Sequence, residues 1–326
     1  MESKKPRAPT QDESSEGWPT TLLHSFDCKQ GAVRAVRFNV DGNYALTCGA
    51  DKTVALWNPL RPLCLQQYRG CGSELLDACG SCDNSMILVG GRDKQPTIFD
   101  VESGKMLKRW RDHGGPINAV QFNEDSRVAL TASQDGTVRC FDVRSRAPPF
   151  QVLDEATDNV LSLSVTSHEI ATGSADGHLR LYDIREGRLF IDFVGESVTS
   201  VALSDDNQTC LVSSMDGFVR LFEKCNGTLL NDYSAHKNKE YRVESTFLAT
   251  NDQIASGSED GHLYIYDLIN SKVLARLDHS PNKFVPSLAA HPTKTGLLLS
   301  AAGHKVFVWR AQNEDDEEYE EVEVKK

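Results

Sequence analysis

Three cysteines within one stretch have the residue type and spacing that could support chemistry. Cys79-Gly-Ser-Cys82 is a C-x-x-C pair, and Cys71 precedes it. Thiolates at such spacing bind zinc or exchange disulfides. A structural zinc site needs four ligands, and no second C-x-x-C or H-x-x-x-H accompanies this pair. We therefore interpret the pair as incidental, and we expect no metal and no cofactor.

The sequence also lacks the short motifs that identify common enzyme classes. It contains no G-x-x-x-x-G-K-[ST], G-x-S-x-G or H-E-x-x-H. Their absence excludes the usual phosphate-binding, hydrolase and zinc-protease interpretations. No nucleophile-base pair emerges either, so we predict a protein that is not an enzyme and has no catalytic residues.

The elements that would position any site repeat along the chain. Short predicted strands that end in an aromatic residue follow Asp-centred turns, at intervals of 40 to 44 residues. The seven aromatic residues are Trp57, Phe99, Phe141, Tyr182, Phe222, Tyr266 and Trp309. Strand units at this period indicate a β-propeller with one four-stranded blade per repeat. We predict an all-β, seven-bladed β-propeller over residues 19–310.

The third unit shows how one blade follows from the sequence. Residues 117–122 alternate apolar and polar side chains, a polar turn follows, and residues 128–133 form a second strand. Gln134-Asp135-Gly136 then makes a turn before the third strand, residues 137–142. Asp-Gly pairs favour tight hairpins because both residues tolerate positive φ.

The same cassette of Asp, turn and strand recurs at residues 51–58, 176–183, 216–223 and 260–267. It resembles the WD repeat family, whose third strand typically ends in Trp-Asp, and the resemblance covers roughly residues 20–310. An open array would expose two strand edges. The resemblance implies closure by an N-terminal strand, here residues 19–26, as the outer strand of the last blade.

WD repeats also resemble one another in a buried relay of His, Ser or Thr, turn Asp and Trp. His113, His236 and His279 occupy the His position here, whereas other units place Lys29, Cys71 and Ala156 there. Three third strands end in Phe, which has no N–H to donate. We interpret the histidines as structural and expect the relay to be broken in most units, with Tyr266 able to keep it in unit six.

Charge and composition exclude several classes of partner. The net charge is −12, and residues 314–326 contribute −6 of it. Without a basic excess we expect no direct sequence-specific nucleic acid binding. No apolar run is long enough to span a membrane, and nine scattered cysteines suit reduced, intracellular thiols. We predict disordered segments at residues 1–18 and, as an acidic tail, 311–326.

Arginines on and after the third strands form two patterns. Arg139, Arg180 and Arg220 share one strand position, which we interpret as ordinary for WD repeats. Arg144 and Arg185 each end an aromatic-Asp-x-Arg motif in adjacent units. That motif resembles the one by which some WD proteins dock on the cullin-4 ligase adaptor, so the alternative function is a substrate receptor of a cullin-4 ubiquitin ligase.

Three stretches are similar to one scaffold within the family: residues 31–44, 56–61 and 236–241. The resemblance implies a non-enzymatic scaffold that is a component of pre-mRNA splicing complexes and an organizer of mitogen-activated protein kinase signalling. It implies spliceosomal proteins and kinase-cascade proteins as partners, and a monomer within larger assemblies. We expect it in cytoplasm and nucleus.

Partners of WD propellers often bind the face formed by the start of each first strand and the residue before each turn Asp. The corresponding candidates are Arg34, Arg92, Gln134, Met215, Tyr241, Arg242, Glu259 and Phe284. Arginine, tyrosine and phenylalanine are common anchors at interfaces.

Overall fold

The computed structural model describes residues 17–249, 251–279, 284–294 and 296–311. Within these ranges the chain forms 28 strands and no helix, arranged as seven four-stranded antiparallel sheets. The predicted all-β, seven-bladed propeller is confirmed. The segments predicted to be disordered, 1–18 and 311–326, lie almost wholly outside the described residues.

The chain begins with β1 (Thr21–Asp27), which belongs to the last blade. Blades one to three comprise β2 (Val33–Phe38), β3 (Ala45–Gly49), β4 (Val54–Asn58) and β5 (Leu63–Tyr68); β6 (Leu75–Gly80), β7 (Met86–Gly91), β8 (Thr97–Asp100) and β9 (Met106–Arg109); β10 (Ile117–Phe122), β11 (Val128–Ser133), β12 (Val138–Asp142) and β13 (Gln151–Leu153). Blades four and five comprise β14 (Val160–Val165), β15 (Glu169–Ser174), β16 (His178–Asp183) and β17 (Arg188–Phe193); β18 (Val198–Leu203), β19 (Thr209–Ser214), β20 (Val219–Glu223) and β21 (Leu229–Tyr233). Blades six and seven comprise β22 (Ser245–Phe247), β23 (Gln253–Ser256), β24 (His262–Asp267) and β25 (Val273–Asp278); β26 (Ser287–Ala290), β27 (Leu297–Ala302) and β28 (Lys305–Arg310).

Blades one to six are meanders whose strands pair in chain order, and in blade seven β26, β27 and β28 do the same before β1 adds the outer strand. The first strands of adjacent blades pack against one another and line the central channel, so the fourth strands form the outer rim. In blades one to five a β-bulge follows the first residue of the first strand. A bulge increases local twist, which suits strands that must converge on one axis.

The ring closes through β1, which pairs with β28 so that Leu22 lies opposite Trp309. The predicted closing strand is therefore confirmed. Phe26 of this strand is buried and its ring centroid lies 4.8 Å from that of Trp57 in blade one. The N-terminal strand thus completes blade seven and also packs against its neighbour.

The apolar core lies between blades. One cluster joins Tyr68 and Val54 of blade one to Leu75, Ile87 and Phe99 of blade two. Aromatic residues that mark the period take part in this packing, and Phe99, Phe141 and Tyr266 are almost fully buried. Burial of such rings contributes stability in proportion to the area removed from water.

Blades one and seven retain a relay that the sequence did not reveal. In blade seven the Trp309 indole N–H donates to the Ser300 hydroxyl (2.8 Å), which donates to His279 Nε2 (2.6 Å). In blade one Trp57 donates to Thr47 (2.8 Å), and Thr47 donates to the Gln30 amide oxygen (2.5 Å). Assigning the His position to Lys29 was wrong, because Lys29 is exposed and the buried Gln30 accepts in place of the imidazole.

Blades three and six keep other parts of the relay. His113 lies 2.9 Å from Asp135 and 2.7 Å from Thr131, although Phe141 cannot extend the chain. In blade six the predicted relay is kept in part: His236 Nδ1 lies 3.0 Å from the Tyr266 hydroxyl, whereas Asp260 accepts a hydrogen bond from the Tyr264 hydroxyl at 2.7 Å. The relay is thus more complete than the aromatic residues alone indicated.

The third-strand arginines replace the missing histidines in blades four and five. Arg180 is buried and binds the turn residue Asp176 at 2.7 Å and Ser174 at 2.6 Å. Arg220 binds Asp216 and Ser214 in the same way. These arginines hold their own turns and do not form a basic surface stripe.

Candidate functional site

The start of each first strand and the turn between the second and third strands lie together, on what we call the top face. Backbone hydrogen bonds join them: Arg92 N–H donates to the Glu74 carbonyl at 2.9 Å, and Met215 N–H donates to that of Ser197 at 2.9 Å. The geometry therefore places the predicted partner-binding residues on one side of the disc. Gln134 is exposed there and Met215 is half-buried.

Two of these residues, Arg34 and Arg92, share one carboxylate across a blade boundary. Arg34 Nε lies 2.6 Å from Glu74 Oε1, and Arg92 Nε lies 2.8 Å from Glu74 Oε2. The Arg92 side chain remains 55% exposed. The pair presents guanidinium groups in a fixed position, but half of their charge is already matched by Glu74.

Tyr241 and Phe284 form an aromatic pair on the same face. Their rings stack with centroids 4.9 Å apart and planes inclined by 17°. Tyr241 is 50% exposed. A rigid aromatic pair loses little conformational entropy on binding, which is the property of an interface anchor.

Glu259 positions this pair and is not itself an exposed contact. Its carboxylate accepts hydrogen bonds from the backbone N–H groups of Lys239, Glu240 and Tyr241, at 2.8, 2.6 and 2.8 Å. The side chain is only 4% exposed. Burial raises its pKa, but the three N–H donors outweigh that effect and hold the pKa below its usual value. The carboxylate therefore clasps the loop that carries Tyr241.

Arg242 lies at the mouth of the channel. Its Nη1 donates to the Asn118 carbonyl of blade three at 2.6 Å, and its Nη2 lies 3.3 Å from Glu244. The side chain is 24% exposed. Arg242 therefore connects the top face to a charged group deeper in the channel.

That deeper group, which we call the channel cluster, consists of Arg37, Asp77, Glu244 and Arg242. Arg37 forms a bidentate pair with Glu244 at 2.7 and 2.8 Å, and its Nη2 lies 2.9 Å from Asp77. Ser287 donates to Glu244 at 2.7 Å. The cluster thus ties together first strands from blades one, two, six and seven.

Sequence reasoning missed this cluster, although a signal was present. One position recurs at the start of every blade, next to the bulge in blades one to five: Ala35, Asp77, Ala119, Ser162, Ser200, Glu244 and Ser287. At this position Ser162 accepts a hydrogen bond from the Val201 N–H of the next blade, and Asp77 does so from Val120. The position is Ala or Ser in five blades, so the carboxylates Asp77 and Glu244 are the two exceptions.

Burial and charge act in opposite directions on the two acids. Burial raises the pKa of Asp77, and Arg37 only partly offsets that effect. Burial also raises the pKa of Glu244, but the charges of Arg37 and Arg242 outweigh it and the net shift is downward. Of the two acids, Glu244 therefore forms the stronger ion pair with Arg37.

Below the cluster the channel widens into a cavity of about 880 Å³ that opens on the opposite, bottom face. Its wall mixes polar and apolar side chains, and the polar ones include Ser162, Ser164, Ser200 and Thr246. In the described part of the chain no group of three His, Cys, Asp or Glu side chains is arranged to hold a metal ion.

The two arginines of the alternative hypothesis lie on the bottom face, in turns that follow third strands. Asp142 accepts a hydrogen bond from the Arg144 N–H, and Asp183 accepts one from the Arg185 N–H, both at 2.9 Å. The motif aspartates are therefore turn formers. The Arg144 side chain is 73% exposed, and Arg185 is also exposed. The two candidate sites occupy opposite faces.

The nine cysteines are free thiols in the structure. Cys79 faces inward, and burial raises its pKa to about 11, whereas Cys82 is exposed. No helix within the described ranges is both long and apolar enough to cross a membrane.

The closed ring of WD-type blades, with a relay in its sheets and anchors on its top face, defines an interaction propeller. The family model for the WD domain, G-beta repeat, matches residues 20–58 and 227–267. A model described as nucleolar protein 10-like, N-terminal domain, matches residues 80–245.

Curated relatives extend the match to the whole propeller. WD repeat domain-containing protein 83 of Rattus norvegicus is 46% identical over 96% of this chain and 97% of its own length. The Homo sapiens protein of that name is 47% identical over 90% of this chain and 93% of its own. A homolog in Dictyostelium discoideum is 28% identical over 86% and 94%.

The chain therefore belongs to the WD repeat family and, within it, to the group of WD repeat domain-containing protein 83. The resemblance predicted from sequence, to the mitogen-activated protein kinase organizer, is confirmed because that scaffold and WD repeat domain-containing protein 83 are the same protein. The family uses its propeller as a protein-interaction platform and is typically non-catalytic.

Proposed function

We propose that this protein is a scaffold that is a component of pre-mRNA splicing complexes and an organizer of mitogen-activated protein kinase signalling, acting in nucleus and cytoplasm. Its partners are spliceosomal proteins in one setting and kinase-cascade proteins in the other. The observation that carries the proposal concerns the loop at residues 236–241. This loop resembles the organizer in sequence, and Glu259 holds it on the top face with Tyr241 presented.

The physical basis is a rigid disc with separate faces. Each face can carry a standard interface of about 800 Å² per partner. Two partners held on one disc gain effective concentration without chemistry by the scaffold. The net charge of −12 supports protein contacts over direct nucleic acid contacts.

Affinity purification of tagged protein from nuclear and cytoplasmic fractions, read by mass spectrometry, tests the proposal. We expect spliceosomal proteins in the nuclear sample and kinase-cascade proteins in the cytoplasmic one. The double variant Tyr241→Ala, Phe284→Ala should lose at least one of these sets. The double variant Leu229→Ala, Leu230→Ala, which truncates exposed residues on the rim of blade five, is the matched control. Recovery of neither set by the wild-type protein would contradict the proposal.

The alternative function, a substrate receptor of a cullin-4 ubiquitin ligase, is supported by the exposed Arg144 and Arg185 in equivalent turns of blades three and four. An arginine fork can bind a partner carboxylate with two hydrogen bonds. Because these residues lie opposite the top face, both functions can be tested in one protein.

The double variant Arg144→Ala, Arg185→Ala should abolish co-purification of the cullin-4 adaptor and leave the partners of Tyr241 in place. The backbone turns should persist, because Asp142 and Asp183 bind main-chain N–H groups. If the wild-type protein never brings down the adaptor, this alternative fails.

A further inference from the structure

A basic pocket lies on the rim between blades two and three, and its Arg146 belongs to the same connection as Arg144 of the bottom face. It has a volume of about 440 Å³ and is lined by Arg109, Trp110, Arg111, Asp112, Arg146 and Pro148. Three arginines and one acid make this a positive site in a chain of net charge −12. Such a local reversal of charge is the first observation that points to an anionic ligand.

Among the residues that the structure describes, the guanidinium groups of this rim pocket have no acidic partner. Arg109 donates to the Thr97 hydroxyl at 3.2 Å and to the Gly70 carbonyl, which are neutral acceptors. Arg146 makes a long contact of 3.4 Å with the Leu107 carbonyl. Arg111 is exposed and has no ion pair within the described ranges. Their charges are therefore available to a ligand.

Trp110 provides a second, independent observation. Its ring is 3% exposed and lies 4.9 Å from that of Phe141. Its indole N–H is buried and has no hydrogen-bond partner among the residues that the structure describes. Buried N–H groups are normally paired, so this donor, on a residue that lines the pocket, calls for an acceptor.

The pocket is also held in shape by its surroundings. Lys108 donates to the carbonyls of Val143 and Ser145, which fixes the connection of blade three against β9. Arg139 donates to the Asp112 carbonyl and fixes the opposite wall. Burial and the nearby charge of Arg146 lower the pKa of Lys108, whereas Asp142 raises it. The positive charges of Lys108 and Arg146 thus lie close together, and the hydrogen bonds of Lys108 and Arg139 hold the surrounding backbone in place.

From the unpaired arginines and the unpartnered indole N–H, we propose that the rim pocket binds a phosphorylated serine or threonine side chain of a protein partner. Arginine forks match phosphoryl oxygens, and a dianion remains attracted despite Asp112. A long nucleic acid strand fits less well, because the rest of the acidic surface repels it. The site is separate from the top face, so it does not depend on the function proposed above.

Heteronuclear NMR of the indole N–H signals of the full-length protein tests this site directly. The probes are three capped pentapeptides with alanine flanks and a central phosphothreonine, threonine or glutamate. The Trp110 signal, assigned with Trp110→Phe, should shift saturably with the phosphothreonine peptide alone. Trp18, Trp57 and Trp309 report whether the fold is intact.

The double variant Arg111→Ala, Arg146→Ala should weaken binding at least tenfold. Arg188→Ala removes a 67% exposed rim arginine of blade four and should change nothing. No Trp110 shift, an equal shift with the threonine peptide, or full binding by the double variant would overturn the proposal. Equal binding of the glutamate peptide would make this a carboxylate site. Binding that appears only after deletion of residues 312–326 would assign the pocket to the chain's own acidic tail.

Discussion

Arg37, in the first strand of blade one, and Glu244, immediately before the first strand of blade six, form a bidentate ion pair, although they are 207 positions apart in sequence. Asp77 approaches the same guanidinium from blade two at 2.9 Å. The pair therefore connects blades on both sides of the point where the ring closes. Removal of this ion pair should therefore destabilise the whole propeller and not a single blade.

Arg37→Met should destabilise the protein by about 3–5 kcal/mol, because it leaves the buried carboxylates of Asp77 and Glu244 with Arg242 as their remaining cation. Denaturant unfolding measures the change. The triple variant Arg37→Met, Asp77→Ser, Glu244→Ser should recover at least half of the loss, since serine serves at the same position in three other blades. A loss below about 1 kcal/mol for Arg37→Met would contradict this account.

Deletion of residues 1–27 should collapse soluble expression, because β28 would lose its partner strand and expose an edge. Deletion of residues 1–16, which spares β1, is the matched control and should express normally. Phe26→Ala should cost about 3–5 kcal/mol through the cavity beside Trp57. A folded 28–326 fragment with unchanged melting would refute the role of the closing strand.

Mild acid should destabilise the protein through its buried histidines. Burial lowers the pKa of His236 and of His279 to about 4. In the unfolded chain a histidine titrates near 6.5, so it binds a proton on unfolding between pH 6.5 and 4 and stability is lost as pH falls through that window. At pH 5 each histidine should cost about 2 kcal/mol. Unfolding free energies at pH 7.5 and pH 5 measure the difference.

His279→Gln should remove the part of the acid sensitivity that this histidine causes. At pH 7.5 it should lower the free energy of unfolding by less than about 1 kcal/mol. Gln30 already performs this task in blade one, where its amide oxygen accepts from Thr47. His279→Ala, which leaves Ser300 without its acceptor, is the comparison and should lose more. Equal acid sensitivity of His279→Gln and the wild type would show that this histidine is not responsible.

Glu259→Gln should loosen the loop that carries Tyr241, because all three N–H groups donate to Oε1 and an uncharged amide oxygen accepts hydrogen bonds more weakly than a carboxylate oxygen. Hydrogen exchange of the amides of residues 239–241 should accelerate about tenfold, which corresponds to about 1.4 kcal/mol. Glu240→Gln, at an exposed neighbour, is the control. Unchanged exchange would mean that Glu259 does not hold the loop.

The period of the aromatic residues predicted the blades, because each interval contains one turn followed by one strand. The strands themselves could be recognised because apolar and polar side chains alternate along them. The closing strand was predictable too, since seven repeats left one blade short of a strand. The error at Lys29 arose because Gln30 can accept a hydrogen bond in place of a histidine, and such an exchange has no signature in spacing. Likewise, Glu259 was expected at the interface, but the structure shows its carboxylate turned to the backbone of its own neighbours.

The sequence by itself determined the number of blades, the family and the set of loops that form the top face, because these depend on local periodicity and turn chemistry. Tertiary structure alone decided which of those side chains meet. The channel cluster joins residues from three blades, the stack of Tyr241 on Phe284 crosses a blade boundary, and the rim pocket combines β9 with a connection of blade three. Each of these contacts depends on distances set by closing the ring, which no single repeat specifies.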